Sequence, residues 1–405
     1  MNNRVWIVSE FYYPDENATG YLLTRIAEDI AHSEEVRILC GPLAYAQDQS
    51  ESSVYTHHKV FIERVDSSTF NKDFLFLRLI NNITLSFKIL IRLIKELNPQ
   101  DKVLVVTNPP SLPFVAAIAC RWKKALYFVL VFDIYPEVLV AAGVFNKHNP
   151  MVYLMKRMTR ILFSKAQKVI VLGRDMYGLL QRNYRVACDR LVVIPNWGEV
   201  NVIKPKKIGE NAILKELSIS NKFVVQYVGN IGRTHNVELL LECAELLKDK
   251  TDICFLFIGD GAKKKWLTES VEKRNLNNVI IQTFYSRERQ SDVHNACDIA
   301  VVSFIPGMAG ISVPSRIYNI MAAGKPILAI TDPESELAMV VQEENIGWVV
   351  TSYRARDVVD NILAAHGNNA TVFEMGKRAR KAAEAKYSFD KIIPIYRNVI
   401  MKHNA

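Results

Sequence analysis

One unit recurs along this chain and restricts its fold more than any other feature. A short, largely apolar run is followed by a loop containing glycine, proline, asparagine or aspartate, and then by a segment with apolar residues at helical spacing. The runs are Val5 to Val8, Val36 to Leu39, Lys102 to Val106, Ala125 to Phe132, Val169 to Leu172 and Leu191 to Ile194. A second series follows at Phe223 to Val228, Ile253 to Ile258, Val279 to Ile281, Asp298 to Ser303 and Ile327 to Ile330. Strands that are apolar at nearly every position, rather than at alternate ones, are buried on both faces, which predicts an α/β chain with parallel sheets covered by helices. At 405 residues the chain exceeds a single ordinary core, so two Rossmann-like domains are expected, with ligands at the carboxyl ends of the strands.

The junction falls where Leu191 to Ile194 runs into Pro195, Asn196, Trp197 and Gly198, ahead of the KPKK run at 204 to 207. The expected domains are 1–200 and 201–386, with a final helix over 387–405 crossing back to the first. Leu22, Leu23, Ile26, Ala27 and Ile30 predict the first helix, with Thr19 as its cap. The stretch 306–330 reads as loop, short helix and strand. Gly307 and Gly310 free the loop, Pro314 and Ser315 suit a helix start, and Gly324 and Pro326 end the helix. An anion could sit at that helix start, near Val313 to Arg316.

The formal net charge of +9 suits an acidic partner, whether sugar nucleotide, anionic lipid or nucleic acid. Six scattered cysteines without a CxxC pair read as reduced core residues of a cytosolic protein. The N-terminus reads as a first strand and not a signal peptide, and no apolar stretch has the length to cross a bilayer. Two segments stand apart. Residues 74–97 are strongly apolar yet carry Arg78, Lys88, Arg92 and Lys95; residues 151–168 carry Lys156, Arg157, Arg160, Lys165 and Lys168 without an acid. Each is either a membrane-interface segment or a core-facing helix with a solvated basic face, and their presence together favours membrane contact.

An ordered set of motifs carries a specific resemblance. FYYPDENATG at 11–20, FDIYPE at 132–137, VIPNW at 193–197, YVGNIG at 227–232, IGDG at 258–261 and PSRIYNIMAAGKPI at 314–327 resemble those of GT-B glycosyltransferases of family 4, the retaining type. The wording is similar to that of the bacterial subgroup that builds surface polysaccharides, including N-acetylfucosamine and colanic-acid transferases. The resemblance implies a metal-independent enzyme with no cofactor. It would take a nucleotide sugar, UDP-linked, in the C-terminal domain and a lipid-linked saccharide acceptor, on polyprenyl diphosphate, in the N-terminal one. It also implies a cytoplasmic protein bound peripherally to the inner face of the plasma membrane.

Residue by residue, the family supplies an arginine and a lysine to the donor diphosphate from the loop after the first C-terminal strand. Asn230 and His235 stand there in this chain, so the role falls to Arg233, with Arg316 as second cation. The family's two glutamates eight positions apart are Ile311 and Asn319 here. Asn319 retains a ribose hydrogen bond in this reading, while sugar contacts fall to backbone amides at Ala309 to Ser312. An apolar Ile311 then suits a deoxy or N-acetylated sugar. The other donor-binding candidates are Gly20, Gly229, Gly259, Phe284, Gly310, Ser312, Pro314 and Ser315. Asp133 is a candidate for catalysis and, with Asp15, Glu16, Asn17 and Glu137, for acceptor binding; Asp133 is equally a helix cap.

Adjacent His57 and His58 make a poor metal site, and no GxSxG turn supports a hydrolase. Two other readings stay open. A GT-B epimerase would bind the same donor, and a basic nucleic-acid-binding protein would explain the charge alone, although the strands lack exposed aromatic and basic alternation.

Overall fold

The computed structural model describes residues 4–15, 17–43, 59–70 and 75–402. Glu16, His57, His58 and residue 74 of the first basic segment lie outside them. The chain divides into two compact units. One comprises residues 1–137, 145–194 and 393–405; the other comprises 138–144 and 195–392.

The first unit is built on a seven-stranded parallel sheet in the order β3-β2-β1-β4-β5-β6-β7. Its strands are β1 (Val5–Val8), β2 (Val36–Cys40), β3 (Val60–Arg64), β4 (Lys102–Val106), β5 (Leu126–Val131), β6 (Lys168–Val171) and β7 (Leu191–Val193). The second unit carries β8 (Phe223–Val228), β9 (Ile253–Ile258), β10 (Val279–Gln282), β11 (Ile299–Ser303), β12 (Ile327–Ile330) and β13 (Gly347–Val350), in the order β10-β9-β8-β11-β12-β13. All pairings in both sheets are parallel. The predicted apolar runs become strands because each can bury side chains on both faces. In β9, ICFLFI is buried at every position. The strands that sequence reading missed are β3 and β13, each at a sheet edge. Phe61 and Ile62 of β3 remain exposed, and β13 opens with a glycine, so neither offers the continuous apolar run of a central strand.

The first helix, Ala18–Ala31, is capped by Asn17, whose side chain accepts from Gly20 N at 2.8 Å, and not by Thr19. The two basic segments fold as helices Leu75–Glu96 and Pro150–Lys165. In the former, Leu85, Ile89 and Leu93 are buried. Leu79, Ile83, Phe87 and Ile91, spaced by four, stay exposed. In the latter, Val152, Thr159, Leu162 and Phe163 are buried while Tyr153, Leu154, Met158 and Ile161 are exposed. Ile118, 53% exposed, and Trp122, 70% exposed, lie on the helix Leu112–Lys123, which packs against both. Among the described residues no helix is long and apolar enough to cross a membrane. Five cysteines are buried, and Cys188 is exposed.

Candidate active site

In the second unit, the carboxyl ends of β8, β9, β11 and β12 bring together glycine-rich loops far apart in sequence. Gly229 and Asn230 follow β8, and Gly259 and Gly261 follow β9. A Cβ on Gly259 would lie 1.9 Å from the Gly229 carbonyl oxygen, and one on Gly261 would lie 2.7 Å from that of Ile231. Only glycine permits this approach at Gly259. Ile231 N donates to Asp260 O at 2.8 Å and Lys263 N to Ile231 O at 2.9 Å, locking the loops together.

Arg316 enters this place from the start of the seven-residue helix Arg316–Ala322. Its guanidinium lies 4.6 Å from the Tyr227 ring centroid, and Nη1 donates to the Val228 carbonyl at 2.8 Å. Nε and Nη2, the side-on edge that grips an oxyanion with two parallel bonds, are buried without a hydrogen-bond partner. Buried charged hydrogen-bond donors without partners are unfavourable unless an anion completes them. The backbone at the helix start contributes less than its sequence suggests. Ile317 N and Tyr318 N already bond to Pro314 O and Ser315 O, each at 3.3 Å, leaving positive charge to the side chain.

His235 lies beside this cation, against the Phe304 ring at 5.4 Å between centroids. Burial, followed by the Arg316 and Lys263 charges, pushes its pKa down to about 3, so the imidazole is neutral at ordinary pH. Lys263 pairs with Glu238. Arg233 is exposed and makes no hydrogen bond or ion pair among the described residues, while Phe284 is 57% exposed after β10.

The loop after β11 has an organiser that sequence reading missed. Asp332, just past β12, accepts Gly307 N at 2.9 Å, Ala309 N at 3.0 Å and the Tyr353 hydroxyl at 2.8 Å. Ile311 N bonds to Met308 O at 3.0 Å, so the Ala309 and Ile311 amides, expected to meet the sugar, are engaged within the protein. Ile311 is only 6% exposed. The side-chain oxygen of Asn319 accepts Glu199 N at 3.1 Å, which leaves its amide hydrogens as the groups to meet a hydroxyl. An aspartate after a buried strand is the one sequence signal that marks Asp332, and a helix cap gives the same signal.

In the first unit, Asp133 follows β5, and its amide donates to Thr107 Oγ1 at 3.3 Å. Glu137 is buried, bonded by the Tyr184 hydroxyl and paired with Lys156 at 3.2 Å. Asp15 accepts Tyr12 N at 3.3 Å and faces Arg64 at 3.9 Å. Gly20 is required by a close approach, since a Cβ there would lie 2.9 Å from the Asp15 carbonyl. Glu137, Asp15 and Asn17 thus have structural partners.

Two Rossmann-like parallel-sheet units of seven and six strands are the architecture of the GT-B fold. The chain belongs to the glycosyl transferases group 1 family. That family's profile matches residues 210–384. The chain is 30% identical over 349 residues to the probable glycosyltransferase WbjE of Pseudomonas aeruginosa, covering 85% of each chain. It is 26% identical over 159 residues, 39% of each chain, to the colanic acid biosynthesis glycosyl transferase WcaI of Escherichia coli (strain K12). Among solved structures, Anabaena Alr3699/HepE in complex with UDP-glucose superposes with a TM-score of 0.74 at 15% identity, covering 99% of this chain and 100% of that one. The family is thus a glycosyltransferase family with relatives in surface polysaccharide biosynthesis; the N-acetylfucosamine assignment is narrower than these relatives establish.

Proposed function

We propose that this protein transfers a sugar from a UDP-linked donor, with retention of configuration and without a metal, to a saccharide on polyprenyl diphosphate during surface polysaccharide synthesis. The observation that carries the reading is the buried, unpaired Nε and Nη2 edge of Arg316 beside Gly229. A donor diphosphate supplies the missing anion. As the glycosidic bond to the leaving phosphate breaks, negative charge grows on its oxygens, and Arg316 stabilises that charge more than the ground state. Arg233, exposed in the loop after β8, is the other cation, and Phe284 offers a face for the base. Asp133 and Asn319 are assigned to acceptor and ribose on family resemblance. A deoxy or N-acetylamino sugar is the preferred donor because Ile311 replaces a carboxylate.

Membrane contact is part of the reading. The exposed stripe Leu79, Ile83, Phe87 and Ile91, together with Ile118, Trp122 and the acid-free basic helix Pro150–Lys165, suits an anionic leaflet, on the cytoplasmic side of the plasma membrane. Incubation of purified protein with bacterial membranes and a panel of labelled nucleotide sugars tests the proposal. Label should pass into chloroform-extractable lipid from one donor, and transfer from none defeats it.

A further inference from the structure

The loop between β11 and Arg316 is fixed from behind by one carboxylate. Both Asp332 oxygens reach Gly307 N, at 3.1 and 2.9 Å; Oδ2 also takes Ala309 N at 3.0 Å, and Oδ1 takes the Tyr353 hydroxyl at 2.8 Å. Asp332 is 9% exposed, and no lysine, arginine or histidine among the described residues pairs with it. Its charge is therefore met by backbone and phenol alone, and charge-assisted bonds of this kind are the strong ones. Asp332 follows β12 and Tyr353 follows β13, so one carboxylate joins the carboxyl ends of β11, β12 and β13. Tyr353 adopts φ +52, a left-handed conformation costly for an aromatic residue, and thereby reaches the carboxylate. Gly307 and Gly310, at φ +83 and +73, supply the turns that point the amides backward, and Ile305 N anchors the loop to Thr234 O at 2.9 Å.

We infer that Asp332, latched by Tyr353, is a positioning residue for the donor sugar: it turns the amides of Gly307 and Ala309 inward and thereby fixes the face on which Ile311 and Ser312 lie. Ile311 offers no carboxylate to a sugar, and the carboxylate nearest this loop, Asp332, lies behind it, on the Gly307 and Ala309 amides. Hydrogen-bond donors that would otherwise meet sugar hydroxyls are consumed, which leaves a less polar surface. The consequence is selective. Asp332 governs how the sugar is held, whereas the diphosphate is held by Arg316.

The inference rests on the donor-site reading above, and the full-length protein tests it by calorimetric titration with UDP, UDP-glucose and UDP-N-acetylglucosamine. The wild type should bind at least one sugar nucleotide more tightly than UDP. Asp332→Ala should lose that advantage, by about tenfold, with UDP affinity held within about twofold. Asp332→Asn should retain most of it, because Nδ2 can donate to the Tyr353 oxygen while Oδ1 accepts the amides; Tyr353→Phe should fall between. Without ligand, the Gly307 and Ala309 amides should exchange faster with deuterium in Asp332→Ala and not in Asp332→Asn. An Asp332→Ala protein that keeps both the sugar advantage and slow exchange overturns this inference alone. A wild type that binds none of the three nucleotides overturns the donor-site reading and this inference with it.

Discussion

Arg316 and Gly229 occupy one space. The guanidinium fills the position where a side chain on Gly229 would begin, with Nη1 2.7 Å from the place of a Cβ. Gly229 also has φ +131, which disfavours any other residue. Gly229→Ala should therefore push the guanidinium off the Val228 carbonyl and strain the turn. We expect a loss of about 1–3 kcal/mol in stability, read by urea denaturation, and UDP affinity at least about tenfold weaker.

Removing the charge at Arg316 discriminates between a phosphate-binding and a merely structural arginine. Arg316→Met keeps stacking bulk on Tyr227 while abolishing the cation. Affinity for UDP should fall about 10- to 150-fold, the value of one charge-assisted hydrogen bond, and affinity for uridine should hardly change. Equal losses for both ligands in calorimetry would show that the residue only supports the fold.

Two histidines link stability to pH. His235 is held near pKa 3 by burial and by the Arg316 and Lys263 charges, and His294 near 4 by burial. Both folded values lie below the ordinary 6.5, so the unfolded chain binds protons first as pH falls. Stability is then full above about pH 6.5 and declines toward pH 4, at up to about 1.4 kcal/mol per pH unit for each histidine. Unfolding free energies measured between pH 6.5 and 5 should show this slope, and His235→Asn should remove about half of the histidine contribution, leaving that of His294.

The apolar stripe predicts a surface phenotype separable from chemistry. Ile83 and Phe87 point away from the core, at 56% and 61% exposure. Replacing both with serine should leave the melting temperature within about 2 °C. Flotation with vesicles rich in phosphatidylglycerol should weaken by about tenfold or more, since interfacial binding scales with buried apolar area. Retained flotation would move the membrane contact elsewhere.

The central strands were legible because burial on two faces writes itself as an unbroken apolar run, as in ICFLFI, or a nearly unbroken one, as in FVVQYV with its single buried Gln226. Val60–Arg64 was not, since an edge strand keeps one side wet and its sequence VFIER obeys no such rule. Within the candidate site, glycines at 229, 259 and 310 and the cation at 316 stood out as residue types. What could not be read was the pairing. The carbonyl that Arg316 bonds lies 88 positions earlier, and the amides gathered by Asp332 lie 23 and 25 positions before it. Those contacts depend on the order in which strands sit in the sheet, which spacing along the chain does not encode.

The helix Phe389–Met401 carries Pro394 and runs from the second unit into the first. There Arg397 pairs with Asp29, and Lys102 Nζ donates to the Met401 carbonyl at 2.9 Å. On a ribosome, the seven-stranded sheet is complete in sequence at Val193, yet the segment that closes it emerges some 200 residues afterwards. At roughly 5–20 residues per second, that interval is about 10–40 s. During it the nascent sheet waits with Asp29 and Lys102 uncovered, and the second unit is free to fold before the first is sealed.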